Sequence, residues 1–342
     1  MTSPTPSAAA PLEVVADKSI TTPDPDGTQG GKGRSPGRLA WQRFKRDRTG
    51  VISAYVVLGY IVVALCAPLI AKLYGKDPYT TYGSDRPGLL NDFGFPIKPN
   101  GGIDSEFWFG LEPSLGRDVF TFLLYGIRNS LFIAGAVTVL VTVLGITIGI
   151  TAGYLGGKTD YFISRVIDIL LAFPQTLFFI AFWPVMITIL VAPDDPIPTW
   201  LTVTSLILVM AAFGWASIAR LLRGEVLALR EREFVEAAKV TGASPARIIF
   251  KELLPNLWTP ILIQATLALP IYVTAEAGLA FLGVGLTAKT PDWGVMLQRA
   301  AAVYQSDITF LIFPGVTMVV FVLVFNLLGD SVRDALDPKT KR

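Results

Sequence analysis

The chain predicts an all-α, polytopic membrane protein with six transmembrane helices, and three observations carry that prediction. Its 342 residues are 52% hydrophobic, with a mean hydropathy of +0.53, which no ordinary soluble domain reaches. The apolar residues gather into six stretches, at 51–72, 130–154, 166–191, 200–220, 257–282 and 309–328. A hydrocarbon core about 30 Å thick requires roughly 20 apolar residues per helix, and each stretch meets that length. Lys, Arg, Asp and Glu fall mainly between the stretches.

Taken in order, residues 1–37 are rich in Pro, Ser, Thr, Ala and Gly, cannot bury a core, and are expected to be a disordered cytoplasmic tail. Residues 38–50 read as an amphipathic helix on the membrane surface, with Leu39, Trp41 and Phe44 toward lipid and arginines toward headgroups. The first span, 51–72, starts too far into the chain and is too long for a signal peptide. An external loop follows at 73–129, then a core region at 130–338 with the other five spans and a charged cytoplasmic loop at 224–256. In the second span Gly145, Gly149 and Gly153 recur every four residues, the pattern of a helix-packing face. In the third, Arg165 and Asp168 can pair on one face, and Pro174 and Pro184 predict kinks. Glu276 lies in the outer half of the fifth span, where an ionisable group is costly and faces either protein or a water-filled path.

Orientation follows from the basic residues near the spans. Arg38, Arg43, Lys45, Arg46 and Arg48 precede the first span; Arg220, Arg223, Arg230, Arg232, Lys239, Arg247 and Lys251 occupy the fourth-to-fifth loop; Arg333, Lys339, Lys341 and Arg342 follow the sixth. Six spans put all three regions on one face, expected to be cytoplasmic, and put the acidic Pro193-Asp194-Asp195-Pro196 turn on the other.

Composition also excludes. With no histidine there is no imidazole base and no His metal ligand, and Cys66, the single cysteine, allows no intrachain disulfide. A net charge of +2 gives no case for nucleic-acid binding. Gly153 to Thr159 superficially resembles a phosphate loop, but the glycine spacing is one residue short and the segment follows a membrane helix. No catalytic set and no metal set is expected.

The most informative segment runs from Glu236 to Pro255. Glu236, Ala237 and Ala238 favour helix, Gly242 offers a left-handed stop, and Ser244 with Pro245 suits the start of a second helix. The segment resembles the EAA loop of importer permeases of the ATP-binding cassette class: Glu236, Ala237, Ala238, Gly242, Leu254 and Pro255 fall in register, and Glu252 stands where that pattern has Ile. The resemblance extends to the second permease subunit of dipeptide and oligopeptide importers. It is carried by Trp41 to Arg46, Leu115 to Phe120, Leu124-Tyr125-Gly126, Ala275 to Leu279, Phe281-Leu282-Gly283, Pro291 with Trp293-Gly294, Asn326 to Asp330 and Arg333 to Pro338. The tail and the longer outer loop between Thr80 and Gly110 depart from it.

The resemblance implies a type I importer permease fold and a pore subunit that is not itself an enzyme. It implies a homologous second permease subunit, two ATPase subunits that bind ATP and magnesium, and an external substrate-binding protein. On this reading the bilayer is a bacterial inner membrane and both termini are cytoplasmic. Glu236, Ala237, Ala238, Gly242, Ala243, Arg247, Leu254 and Pro255 would couple to the ATPase, with Val240 and Ile248 as apolar contacts and Arg232 at the polar rim. Glu276 and Trp293 are candidates for the path or its outer gate. Peptides, nickel chelates and other small solutes stay open as cargo. An ion-coupled secondary transporter and a membrane-bound enzyme are the rivals from other classes, but neither a convincing internal repeat nor a cluster of catalytic groups is present.

Overall fold

A computed structural model describes residues 36–337 except positions 193, 194, 196 and 288. The tail, apart from its last two positions, therefore lies outside the described residues, as do residues 338–342 and three positions of the 193–196 turn. Among the described residues the chain is helical, and two isolated bridges, Leu90 with Pro96 and Leu111 with Asp118, are its β pairings.

Short α1 (Pro36–Arg46) precedes α2 (Arg48–Tyr74), whose start is capped by Asp47 accepting from the Thr49 amide at 3.1 Å. Gly75, at φ 77°, ends α2 in the left-handed conformation. Two four-residue turns, α3 (Tyr82–Asp85) and α4 (Pro99–Gly102), lie in the outer segment. Then α5 (Val119–Leu155) begins at Asp118, whose carboxylate accepts from the Thr121 amide at 2.7 Å. Residues 119–129, expected as loop, are thus the first three turns of a 37-residue helix. A hydropathy window stops at Arg128 and Asn129, but a capped helix with a buried face at Phe122, Leu123 and Ile127 does not.

The third expected span is not one helix. α6 (Gly157–Ala172) and α7 (Gln175–Leu190) meet at a bend of 85°. Pro174 has no amide hydrogen and drives Phe173 to extended backbone, at φ −84° and ψ 134°, so the helix breaks there. Pro184, expected to kink the same span, lies inside continuous α7. Next come α8 (Thr199–Leu229), α9 (Glu233–Val240), α10 (Pro245–Arg247), a π-helical turn at Ile248–Leu253, α11 (Leu254–Asn256), α12 (Trp258–Phe281), α13 (Trp293–Val303) and α14 (Thr309–Leu336).

Whether the bent pair crosses is decided by packing. Gly145 lies against Ile218, Gly149 against Ala219 and Gly153 against Val226, so position rises together along α5 and α8 and the two helices are parallel. A chain leaving α5 at one end must return to the other end before entering α8, so α6 and α7 together make a crossing. The described residues therefore hold six crossings, five in single helices and one bent.

The two ends of the bundle differ. Gly50 abuts Ser331, Tyr60 donates to the Thr317 carbonyl at 2.8 Å, and Arg43 donates to the Asp337 carbonyl at 2.8 Å, so α2 and α14 are antiparallel and α1 sits at the far end of α14. Tyr74 at the end of α2 donates to Asp118 at the start of α5 at 3.2 Å, so the far end of α5 lies with the start of α2, and Arg230 of the α8–α12 connection donates there to the Gly153 carbonyl at 3.0 Å. The described residues of all three basic regions thus share one end. At the opposite end Glu112 accepts from Arg117 at 2.5 Å and pairs with Arg299 of α13, linking the outer segment to that helix. Burial pushes the Arg299 guanidinium down from its ordinary value, opposed by the Glu112 carboxylate. Tyr55, Leu65 and Leu73 on the outside of α2 are exposed, as lipid-facing side chains are.

Candidate functional site

The segment between α8 and α12 is a folded corner with two faces. Gly242, at φ 78°, lets the chain leave α9, its amide donating to the Lys239 carbonyl at 3.0 Å while the Ala243 amide donates to Ala238 at 3.0 Å. Ser244 Oγ accepts from the Arg247 amide at 3.4 Å, and Pro245 opens α10. The inward face is apolar: Val235, Ile248, Leu253 and Leu257 are fully buried and join a core with Leu222 and Val226 of α8. Ala238, Ala243 and Leu254 are half-buried against that core.

The outward face carries Glu236, Ala237, Val240, Arg247, Phe250 and Pro255, all exposed, with Arg232 beside them. Val240 is 88% exposed, the extreme among these apolar groups. Ile248, expected as a docking contact, is only 1% exposed; it points inward and anchors the corner to the bundle. Phe250 occupies the outward position instead. The π turn at 248–253, which the sequence pattern did not foretell, precedes Pro255. A proline there supplies no amide to the Lys251 carbonyl and its ring crowds that carbonyl, so the helix widens.

Rigid links carry this corner into the membrane. Arg230 reaches α5 at Gly153, and Arg223 of α8 pairs with Asp160 of α6, one contact at 2.8 Å. Arg220 pairs with Asp168 at 2.5 Å, much closer than the Arg165–Asp168 pair at 3.9 Å that spacing alone indicated. On α5 a Cβ at Gly145, Gly149 or Gly153 would stand 2.7, 2.7 or 2.8 Å from atoms of α8, so their hydrogens let the backbones touch. The phosphate-loop-like stretch is a corner, with Gly156 and Gly157 at φ 65° and 56° between α5 and α6.

Glu276 is fully buried on α12, beside Asp292 and Ser130. Asp292 accepts from Ser130 Oγ at 2.6 Å and caps α13 through the Gly294 and Val295 amides at 2.7 and 3.2 Å. Trp293 is also fully buried, its ring nitrogen donating to Thr317 at 3.1 Å and its face packed on Tyr60 and Phe321. In this chain neither side chain lines an open space. A cavity of about 380 Å³ does lie beside α12, between α7, α8 and α12. Its polar lining is Gln175, Thr176, Ser217, Gln264 and Tyr272, and its apolar lining includes Phe179, Met210 and Ile271. None of these polar groups carried a sequence signal, since a lone Gln in an apolar stretch has no motif. Among the described residues no group of Cys, Asp or Glu is arranged to hold a metal ion.

Comparison with known proteins bears on the whole chain. The family described as binding-protein-dependent transport system inner membrane component matches residues 145–342, and the N-terminal TM domain of oligopeptide transport permease C matches residues 35–91. The dipeptide transport system permease protein DppC of Alkalihalophilus pseudofirmus is 34% identical over 307 residues, covering 90% of this chain and 91% of its own. The glutathione transport system permease protein GsiD of Salmonella typhimurium is 36% identical over 309 residues, covering 90% and 92%. Among solved structures, a chain of the MetNI methionine ABC transporter in an inward-facing conformation aligns with a TM-score of 0.46 at 22% identity, over 63% of this chain and 96% of that one. Six crossings and an exposed helical corner at the basic end agree with the two family models and the curated relatives: the chain belongs to the family of inner-membrane permease components of binding-protein-dependent transport systems, and within it to the dipeptide and oligopeptide type.

Proposed function

We propose that this chain forms one half of the pore of an ATP-driven importer that takes up peptides delivered by an external binding protein. The observation that carries the reading is the corner from Glu233 to Asn256: its apolar underside is locked to α8 and α12 while Val240, Arg247 and Phe250 face out. A surface built this way suits docking into a groove of a soluble ATPase, with apolar contacts for adhesion and Glu236, Arg232 and Arg247 setting register. By the positive-inside rule the basic end is cytoplasmic, which puts the corner and both described chain ends on the ATP side.

Two ATPase subunits closing on ATP and magnesium would press this corner and a matching corner of a second, homologous permease. The push would travel through Arg230 to α5 and through the buried Val235–Leu222 packing to α8, tilting the spans from inward-open to outward-open. Hydrolysis is the work of the partner subunits; this chain supplies the path and the lever. The DppC and GsiD relatives, named for dipeptide and glutathione transport, support a short peptide as cargo.

A Val240→Cys variant made in a Cys66→Ser background tests the docking. In membranes containing all subunits it should crosslink to the ATPase, and the crosslinked particle should contain one copy of this chain and one distinct permease. A transport-competent particle with two copies of this chain and no other membrane subunit would refute the heteromeric part, and absence of any ATPase crosslink would refute the docking.

A further inference from the structure

The cavity between α7, α8 and α12 holds polar groups without a hydrogen-bond partner among the described residues. Gln175 on α7, Ser217 on α8, and Gln264 and Tyr272 on α12 line it, and none of the four side chains hydrogen-bonds another group among the described residues. Polar groups at membrane depth that packing does not satisfy are partnered by water or by whatever passes. The lining contains no Asp, Glu, Lys or Arg. Along α8 the next charged side chain is Arg220, paired with Asp168, and along α12 it is Glu276, fully buried beside Asp292. Tyr272, Ala275, Gly278 and Leu279 around Glu276 line the cavity, while the Glu276 carboxylate itself is fully buried and absent from the lining. The volume, about 380 Å³, lies within the roughly 300–1,000 Å³ range of small-molecule sites.

We infer that this cavity is the chain's share of the cargo path and that Gln175, Ser217, Gln264 and Tyr272 hold the cargo by its backbone amides and carbonyls. This deepens the peptide-importer reading and rests on it. Each glutamine offers both donors and acceptors, and each hydroxyl offers both in one group. That set matches the repeating part of any peptide and is indifferent to the sign of its side chains. A charged lining would hold one sign and repel the other, because like charges brought together in a low-dielectric wall are strongly disfavoured. The path in this chain is therefore blind to cargo charge.

The complete importer in proteoliposomes, loaded with Ala-Ala, Ala-Glu or Ala-Lys on its binding protein, tests the inference. Uptake by each variant is divided by wild-type uptake of the same peptide, which cancels the binding protein's own preference. Gln264→Glu should depress Ala-Glu about tenfold more than Ala-Lys, and Gln264→Lys should reverse that order. An equal fall for all three peptides in both variants marks a packing role and overturns the inference. A second measurement does not depend on cargo. In a Cys66→Ser background, Ser217→Cys and Gln264→Cys should react with a water-soluble methanethiosulfonate, and Val273→Cys, on the buried side of α12, should not. Failure of Gln264→Cys to react would overturn the path itself. Reaction at Gln264→Cys in an importer that moves none of the three peptides would leave the path standing and defeat the peptide reading.

Discussion

Gly149 of α5 touches Ala219 of α8: a Cβ at position 149 would stand 2.7 Å from the Ala219 carbonyl oxygen and 2.9 Å from its Cα. Both atoms are backbone, so no side chain can move aside to make room. Together with Gly145 against Ile218 and Gly153 against Val226 it makes the two spans parallel, which requires the bent α6–α7 crossing between them.

Gly149→Val should separate α5 from α8 and cost on the order of 1–3 kcal/mol, the usual range for overpacking. Gly135→Ala, on the same helix with no atom within 4 Å of its Cβ position, should be neutral. Thermal unfolding of the detergent-solubilised complex separates the two. Equal melting temperatures would show that the α5–α8 contact is dispensable.

Gly242→Val should uncouple ATP hydrolysis from transport while the spans still insert. No atom lies within 4 Å of a Cβ at 242, so the defect is backbone strain at φ 78°, on the order of 1–3 kcal/mol, and not a clash. Asn, which tolerates the left-handed region, should restore much of the coupling at the same position. Normal uptake by the Val variant would remove this corner from the coupling mechanism.

Glu112→Gln should loosen the outer segment from α13. The carboxylate is fully buried and shared by Arg117 and Arg299, and removing one partner of such a pair costs about 3–5 kcal/mol. Limited proteolysis between residues 76 and 118 reads the loss, with faster cleavage expected than in wild type. Adding Arg299→Met should recover part of the protection, because one buried cation then goes with the anion.

Deleting residues 1–34 should leave insertion and uptake largely intact, since the family match begins at residue 35 and the deleted stretch is too poor in bulky apolar residues to build a core. Uptake in a strain with the truncated copy alone, at matched membrane abundance, checks this. Loss of more than about half the rate would show a role for the tail.

By itself the sequence determined what depends on local chemistry. Hydrocarbon thickness imposes a length on every apolar stretch, so all six crossings were legible, and Gly242, Ser244 and Pro245 announced a corner because glycine takes the left-handed conformation without strain, serine caps a helix start and proline fits the first helical position. The basic residues read as one face, and packing gathers their described positions at one end of the bundle. What only the tertiary structure decided is what depends on which helix meets which. The true start of α5 is set by the Asp118 cap and by a face buried against its neighbours, beyond the reach of a hydropathy window. Ile248 reads as a surface contact in sequence and is an anchor in the fold, because it is buried in one core with Val235 and Leu222. Glu276, the one charged residue of the fifth span and the obvious guess for a path, is fully buried beside Asp292, while Gln264 and Tyr272 two other turns of the same helix face the open cavity. An α-helix presents every direction in turn, and its sequence does not say which direction will be covered; the neighbouring helices decide that when they pack.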